Sequence, residues 1–465
     1  MSILRVLDFR IILTLGISLL FGLIFVDIAP LLVAKTKFLI LLPVGVLFLL
    51  FLVIRPKAAL VAILILRPIL DQFLESTRLG GFQGIGIGSV FNLGIILVFI
   101  LLYFKNSAVI AAPKKFIFWW VIYLLILLVS IVYSPFVLRA FRLYLNHITY
   151  FSMAVLPFLL IKSKQDFFFW IKVFMISFIL PILLANVDMV TGGRYYNPDS
   201  GRRIVGTFTH PNILAFFLLL GITVYFFVIR AWDLFLGSKL KWWMNIAMVN
   251  MVVLLIAAKT RSAWIVAFLV YLFYGWLKEK RIILILFLLC CLAALTPAVQ
   301  DRVVTIFGSG GSENYQGIDS FNWRLQAWTS TLKPILEKPL HGHGLASFFR
   351  LSNQFSEHGE NFGSHNLYLE IWFESGLFAL LSYGMLLLTT FRIFWDKMAR
   401  EKDPVISRLA ALMASYMVSY IIVCVSDNLV YYLVFNWYFW FFVGLAMVGI
   451  PLLKNDQKME GLTTS

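Results

Sequence analysis

The chain has 465 residues, of which 61% are hydrophobic and only 13% charged, where a soluble domain carries about 25% charged residues. That balance excludes an ordinary soluble enzyme and predicts an all-α, polytopic membrane helical bundle. The formal charge is +16, but the basic residues are scattered between apolar runs, which argues for anionic lipid head groups or a phosphate-bearing lipid and against nucleic acid as partner.

The N-terminal run, MSILRVLDFRIILTLGISLLFGLIF, has the basic start of a signal peptide, but no small-residue cleavage site follows and it reads as an uncleaved first helix. Further apolar runs of spanning length give about 12–14 spans, at roughly 17–25 residues each. Between 58 and 104, Arg67-Pro68 and the glycine-rich LGGFQGIGIGS (79–89) leave open a broken or re-entrant element. The organisation expected is N-terminal membrane helices over 1–187, an outer loop over 188–211, central membrane helices over 212–298, a large loop over 299–366, and C-terminal membrane helices with a short tail over 367–465. Lys and Arg predominate in the connections that are cytoplasmic when the N-terminus is inside. Both termini are therefore expected in the cytoplasm and both long loops in the periplasm or outside. Within the second loop, Phe321, Leu325, Trp328, Leu332 and Leu336 recur at helical spacing and predict an amphipathic helix at the outer interface. GSGGSENYQG (308–317) reads as a lid or linker. Cys290, Cys291 and Cys424 lie in apolar runs and read as small buried hydrophobes.

Polar residues at the outer ends of spans are the functional candidates. AAKTRSAW puts Lys259 and Arg261 between two spans, NWRLQAW puts Arg324 on the polar side of the interface helix, and SGRRIVGTF puts Arg202 and Arg203 in the first outer loop. Guanidinium groups at a membrane edge suit a lipid-borne diphosphate, because the planar fork binds two oxygens and stays charged. Of the histidines, His147 lies near the outer start of its span, and His210, His341, His343, His358 and His365 fall in outer segments. His210 precedes Pro211-Asn212, a helix-start signal, and His341 and His343 flank Gly342 in a tight turn. No metal or cofactor is implied. His365-Asn366 opens a span in which Glu370 and Glu374, spaced i, i+4, share a face. Carboxylates there need partners, an arginine or the histidine, or a polar cavity. A histidine beside a bound diphosphate can accept a proton at neutral pH.

These stretches resemble the O-antigen ligase/O-antigen polymerase superfamily of bacterial membrane glycosyltransferases. His365-Asn366, nine residues, Gly376, two residues and Ala379 fit the ligase signature of His, Asn/Ser/Gln, nine residues, Gly, two residues, then Gly, Thr or Tyr, except at Ala379. Arg324 matches the loop-helix arginine, with Trp328 where the ligase form has Leu, and Thr260-Arg261, KPLHGHG and THPN-x-x-A (209–215) match further family motifs. The resemblance covers roughly residues 205–381. It implies a membrane glycosyltransferase that takes a glycan from undecaprenyl diphosphate on the periplasmic face of the inner membrane. The acceptor would be another lipid-linked glycan, in a polymerase working with a chain-length regulator, or lipid A-core, in a ligase. The departures at Ala379 and Trp328 tilt the reading toward polymerase. It further implies an inverting, metal-independent reaction in which Arg261 and Arg324 clamp the diphosphate and His365 serves the acceptor hydroxyl. Beyond the resemblance, Arg202, Arg203, His210, Lys259, His343 and Asn366 are expected to line the substrate site from their place in the outer segments, and Glu370 and Glu374 as partners of the arginines or the histidine. The rival reading is a polytopic transporter of a small anion or lipid-linked glycan.

Overall fold

A computed structural model describes residues 46–76, 88–106, 111–197, 201–231, 240–295, 320–356, 359 and 361–463. The first expected helix, most of the glycine-rich stretch, the 308–317 segment and His358 lie outside the described residues. The elements are α1 (Pro56–Ile69), α2 (Asp71–Ser76), α3 (Gly88–Asn106), α4 (Lys114–Val132), α5 (Val137–Leu160), α6 (Lys164–Val190), the antiparallel strands β1 (Tyr195–Asn197) and β2 (Gly201–Arg203), α7 (Pro211–Arg230), α8 (Lys241–Ala257), α9 (Arg261–Leu277), α10 (Lys280–Ala294), α11 (Ser320–Glu337), α12 (Phe348–Leu351), α13 (Leu367–Arg400), α14 (Pro404–Val423) and α15 (Leu433–Thr463). Among the described residues, 8 helices are long and apolar enough to cross a membrane, and α8 and α9 are shorter apolar helices. The chain is a multi-pass, helical membrane protein.

A helix that is apolar all round belongs inside a bundle. The Phe- and Trp-rich start of α15 obeys this and is the most deeply buried span. It packs chiefly on α5, while α13 packs on α4 and α14, α8 on α7, and α9 on α14. Tyr420 and Phe439 stack with ring centroids 4.7 Å apart, and Trp120 meets Trp440 edge-on at 4.8 Å. The outward faces of α4, α6 and α10 carry exposed Leu, Ile, Val and Phe side chains, as lipid contact requires. Cys424 is buried as expected, whereas Cys290 and Cys291 are exposed on α10, because that helix keeps few of its side chains inside the protein.

The amphipathic helix expected from residue spacing is present as α11. Its Leu325, Leu332 and Leu336 point away from the protein, and the opposite face buries Ala327, Thr331 and Ile335. Arg324 lies at i−3 and i−7 from Ala327 and Thr331, so it shares the face turned toward the bundle.

α13 is bent at Gly376, whose φ of 80° and ψ of 179° are non-helical. A bend frees backbone groups that must find partners, and residues 339–344 supply them. Pro339 O accepts from Leu377 N at 2.9 Å, His343 N donates to Phe373 O at 2.8 Å, and Gly344 N donates to Glu374 O at 2.8 Å. The turn is anchored to the connection between α4 and α5 through Ser134 Oγ, which donates to Leu345 O at 2.7 Å. The two short motifs KPLHGHG and His-Asn-x9-Gly are thus the two halves of one interlock.

Candidate functional site

The N-termini of α7, α9 and α13 and the C-terminus of α14 meet at one end of the bundle. Leu367 N donates to Cys424 O at 2.9 Å, joining α13 to α14. Asn212, the second residue of α7, donates through Nδ2 to the Tyr432 hydroxyl at 3.0 Å. Ser262, the second residue of α9, donates through Oγ to Asp427 Oδ2 at 2.9 Å. Asp427 is buried and also accepts from the Tyr432 hydroxyl at 2.7 Å and from Asn428 N at 2.9 Å.

Arg203 fastens the first outer loop to this junction. Its Nε donates to Ala258 O at 2.9 Å, and its Nη2 donates to Thr260 Oγ1 at 2.7 Å and to Asn212 Oδ1 at 3.1 Å. The same loop folds about Asp188, whose Oδ2 accepts from Val205 N at 2.7 Å and Gly206 N at 2.9 Å and whose Oδ1 pairs with Arg194 at 3.0 Å. His210 caps α7, accepting from Asn212 N at 3.1 Å. Burial, with the nearby Arg203 charge and His365 adding to it, lowers the His210 pKa to about 4 and keeps the capping nitrogen an acceptor. Arg202, one residue before Arg203, is exposed, as are Lys259 and Arg261. The division between the two arginines is testable. Arg203→Ala should cost about 2–3 kcal/mol of stability, the range for charge-assisted hydrogen bonds lost from a buried site, and Arg202→Ala should leave the melting temperature in detergent unchanged.

His365 sits at the centre of the junction. Its φ of 45° places a non-glycine residue in the left-handed region, and solvent reaches its side chain. The Trp323 ring of α11 stands edge-on to it at 5.7 Å. Partial desolvation beside the Trp323 ring lowers its pKa below the ordinary histidine value; Asp427 opposes the shift and the Arg324 guanidinium reinforces it. α11 is held in place by Trp328, whose Nε1 donates to Ser364 O at 2.9 Å. Arg324 is half-buried and makes no ion pair among the described residues. Asn366 caps α13 through Oδ1, which accepts from Tyr368 N and Leu369 N, each at 3.1 Å.

Glu370 and Glu374 are both buried, and neither is ion-paired with an arginine among the described residues. Glu370 Oε2 accepts from Ser364 Oγ at 2.6 Å and from Asn428 Nδ2, and its Oε1 accepts from the Tyr431 hydroxyl. Glu374 Oε1 accepts from Phe348 N at 3.1 Å. Together with His147, Tyr123 and Tyr431 the two carboxylates line a cavity of about 20 Å³, the size of a single water. His343 is placed elsewhere, stacked on Phe373 at 4.5 Å with Nε2 2.7 Å from Pro334 O. Among the described residues no three His, Cys, Asp or Glu side chains gather as a metal-holding group.

The structure thus brings His365, Asn366, Arg324, Arg203, His210 and Glu370 to one junction, with Arg261 adjoining Ser262 at its edge. It adds Asp427, Asn428, Tyr431, Tyr432, Ser364 and Trp323, which are not among the candidates read from the sequence, and Asn212, which the sequence marks only as part of a helix start. One signal was present for two of them: Ser426-Asp427-Asn428 is a polar turn between two apolar runs. Compared with known proteins, residues 246–384 match the family model described as O-antigen ligase. No curated protein matches the chain.

Proposed function

We propose, from the match of residues 246–384 to the O-antigen ligase family model, that the chain is a glycosyltransferase of the inner membrane. It takes a glycan from undecaprenyl diphosphate at the periplasmic face and transfers it to an acceptor hydroxyl. The observation that carries this reading is the meeting of Arg324, His365 and Asp427 at the helix ends on one side of the bundle. A transport site is expected nearer mid-membrane. In the proposed reaction the acceptor oxygen attacks the anomeric carbon, the bond from that carbon to the diphosphate oxygen breaks, and His365 takes the hydroxyl proton. Arg324 and Arg261 stabilise the charge gathering on the departing diphosphate. Asp427 stabilises the imidazolium that forms. Attack from the side opposite the leaving group inverts the anomeric configuration. Polymerisation onto a second lipid-linked glycan is favoured over transfer to lipid A-core, on Trp328 and Ala379.

Purified protein in nanodiscs, supplied with an undecaprenyl-diphosphate oligosaccharide, should release undecaprenyl diphosphate and build a ladder of longer glycans. Transfer only when lipid A-core is added would make it a ligase. Donor binding without turnover on either acceptor would favour the transporter. The acid limb of the kcat/KM profile should lie below the ordinary histidine pKa of about 6.5, because a histidine with a lowered pKa stays neutral to lower pH. Arg324→Gln should move that limb up and Asp427→Asn should move it down, since the first removes a charge that lowers the pKa and the second one that raises it.

A further inference from the structure

A buried carboxylate with no cation at ion-pair distance is costly unless donors surround it. Among the described residues Glu370 is such a group, and the Arg139 charge acts on it only from farther away. Its three donors come from two places: Ser364 in the turn before α13, and Asn428 and Tyr431 in the segment between α14 and α15. Each of the first two has a second engagement. The Ser364 oxygen accepts from Asn366 N at 3.2 Å, closing the turn that holds His365 at positive φ, while the Ser364 carbonyl receives Trp328 of the Arg324-bearing helix. Asn428 donates its backbone N–H to Asp427 and, through Nδ2, also donates to Ser364 Oγ at 2.9 Å.

The geometry points to Glu370 as a positioning residue, a buried clamp that sets the placement of His365 relative to both Asp427 and Arg324. Ser364 and Asn428 are the arms of the clamp. Glu370 lies behind the turn, bonded to Ser364, Asn428 and Tyr431. It acts through the turn, and a misplacement near 1 Å at a reacting group is enough to cost about 100-fold in rate. A left-handed non-glycine residue persists only where its surroundings over-determine it, and Glu370 is the hub of those surroundings. The inference rests on the glycosyltransferase reading and gives a role to a carboxylate which that mechanism leaves unused.

The test compares full-length wild type, Glu370→Gln, Ser364→Ala and Tyr431→Phe in nanodiscs. Glu370→Gln and Ser364→Ala should lose about 10- to 100-fold in turnover while Kd for undecaprenyl diphosphate stays within about twofold, and Tyr431→Phe, which spares the Ser364 arm, should lose less. A second readout is independent of turnover. Carbethoxylation of His365, measured by peptide mass spectrometry relative to exposed His341, should change in Glu370→Gln and Ser364→Ala. Near-wild-type turnover in Glu370→Gln overturns the proposal. So does a parallel loss of binding and turnover with an unchanged His365:His341 ratio, which would mark a purely structural residue. Should Glu370→Gln fail to fold, the smaller Ser364→Ala change decides by the same criteria. If the wild type itself shows no turnover, the enzymatic reading falls, and the carbethoxylation ratio alone judges the clamp.

Discussion

His365→Ala should lower turnover by about 10²- to 10⁴-fold, the usual contribution of a positioned general base, with donor affinity and melting temperature close to wild type. The expectation of intact folding comes from the site itself. The His365 side chain is solvent-exposed and its ring contact is Trp323. The turn is fixed instead by Ser364, Asn366 and Glu370. Alanine shares the positive-φ penalty of histidine, whereas glycine does not. His365→Gly should therefore be at least as stable as wild type and equally inactive, and added imidazole should restore part of its turnover. Arg324→Lys makes the complementary comparison. It keeps a charge but loses the two-pronged geometry, so near-full activity in that variant would remove the bidentate role. Retention of turnover in both His365 variants would remove the histidine from the chemistry.

Much of this architecture was legible because membrane helices announce themselves by length and composition, and α11 by the spacing of its apolar residues. The junction was only half legible. Arg324, His365 and Asn366 stand out because polar residues at span ends are costly without a reason. Asp427, Tyr432 and Asn212 do not, since each is an ordinary residue at an ordinary span end until the fold brings four helix termini together. Arg202 and Arg203 show the limit most directly. They are adjacent and chemically identical, yet β2 sends one into a buried network and leaves the other in solvent. Alternation along a strand separates the pair, and three residues of strand are too few to be read from sequence. Glu370 and Glu374 were correctly read as needing partners, but the partners are hydroxyl, amide and backbone donors, which any sequence supplies in excess.

Gly376→Ala should be the most destabilising single change in this region, costing about 3–5 kcal/mol from backbone strain and overpacking combined. At φ 80° and ψ 179° the residue occupies a region essentially reserved for glycine. A Cβ there would also run into the backbone of Leu340 and His341. Neither segment can retreat, because the 339–344 turn is tied to the bend by the hydrogen bonds from Leu377, His343 and Gly344 and to the α4–α5 connection by Ser134. Gly342 is wedged against the Phe373 and Glu374 backbone, with a would-be Cβ only 2.6 Å from Phe373 O. The glycine of the His-Asn-x9-Gly pattern therefore serves a different purpose from its histidine. It lets α13 bend so that its first turns, carrying Asn366, Glu370 and Glu374, dock against the loop, while the remainder of the helix crosses the bundle. The measurable consequence is a dissociation of phenotypes within one motif. Thermal unfolding followed by size-exclusion in detergent should show Gly376→Ala losing its monodisperse peak well below the wild-type temperature, with binding and turnover lost together. His365→Ala should keep the peak and the binding and lose only turnover. A Gly376→Ala protein as stable as wild type would mean that the bend is not required by the fold.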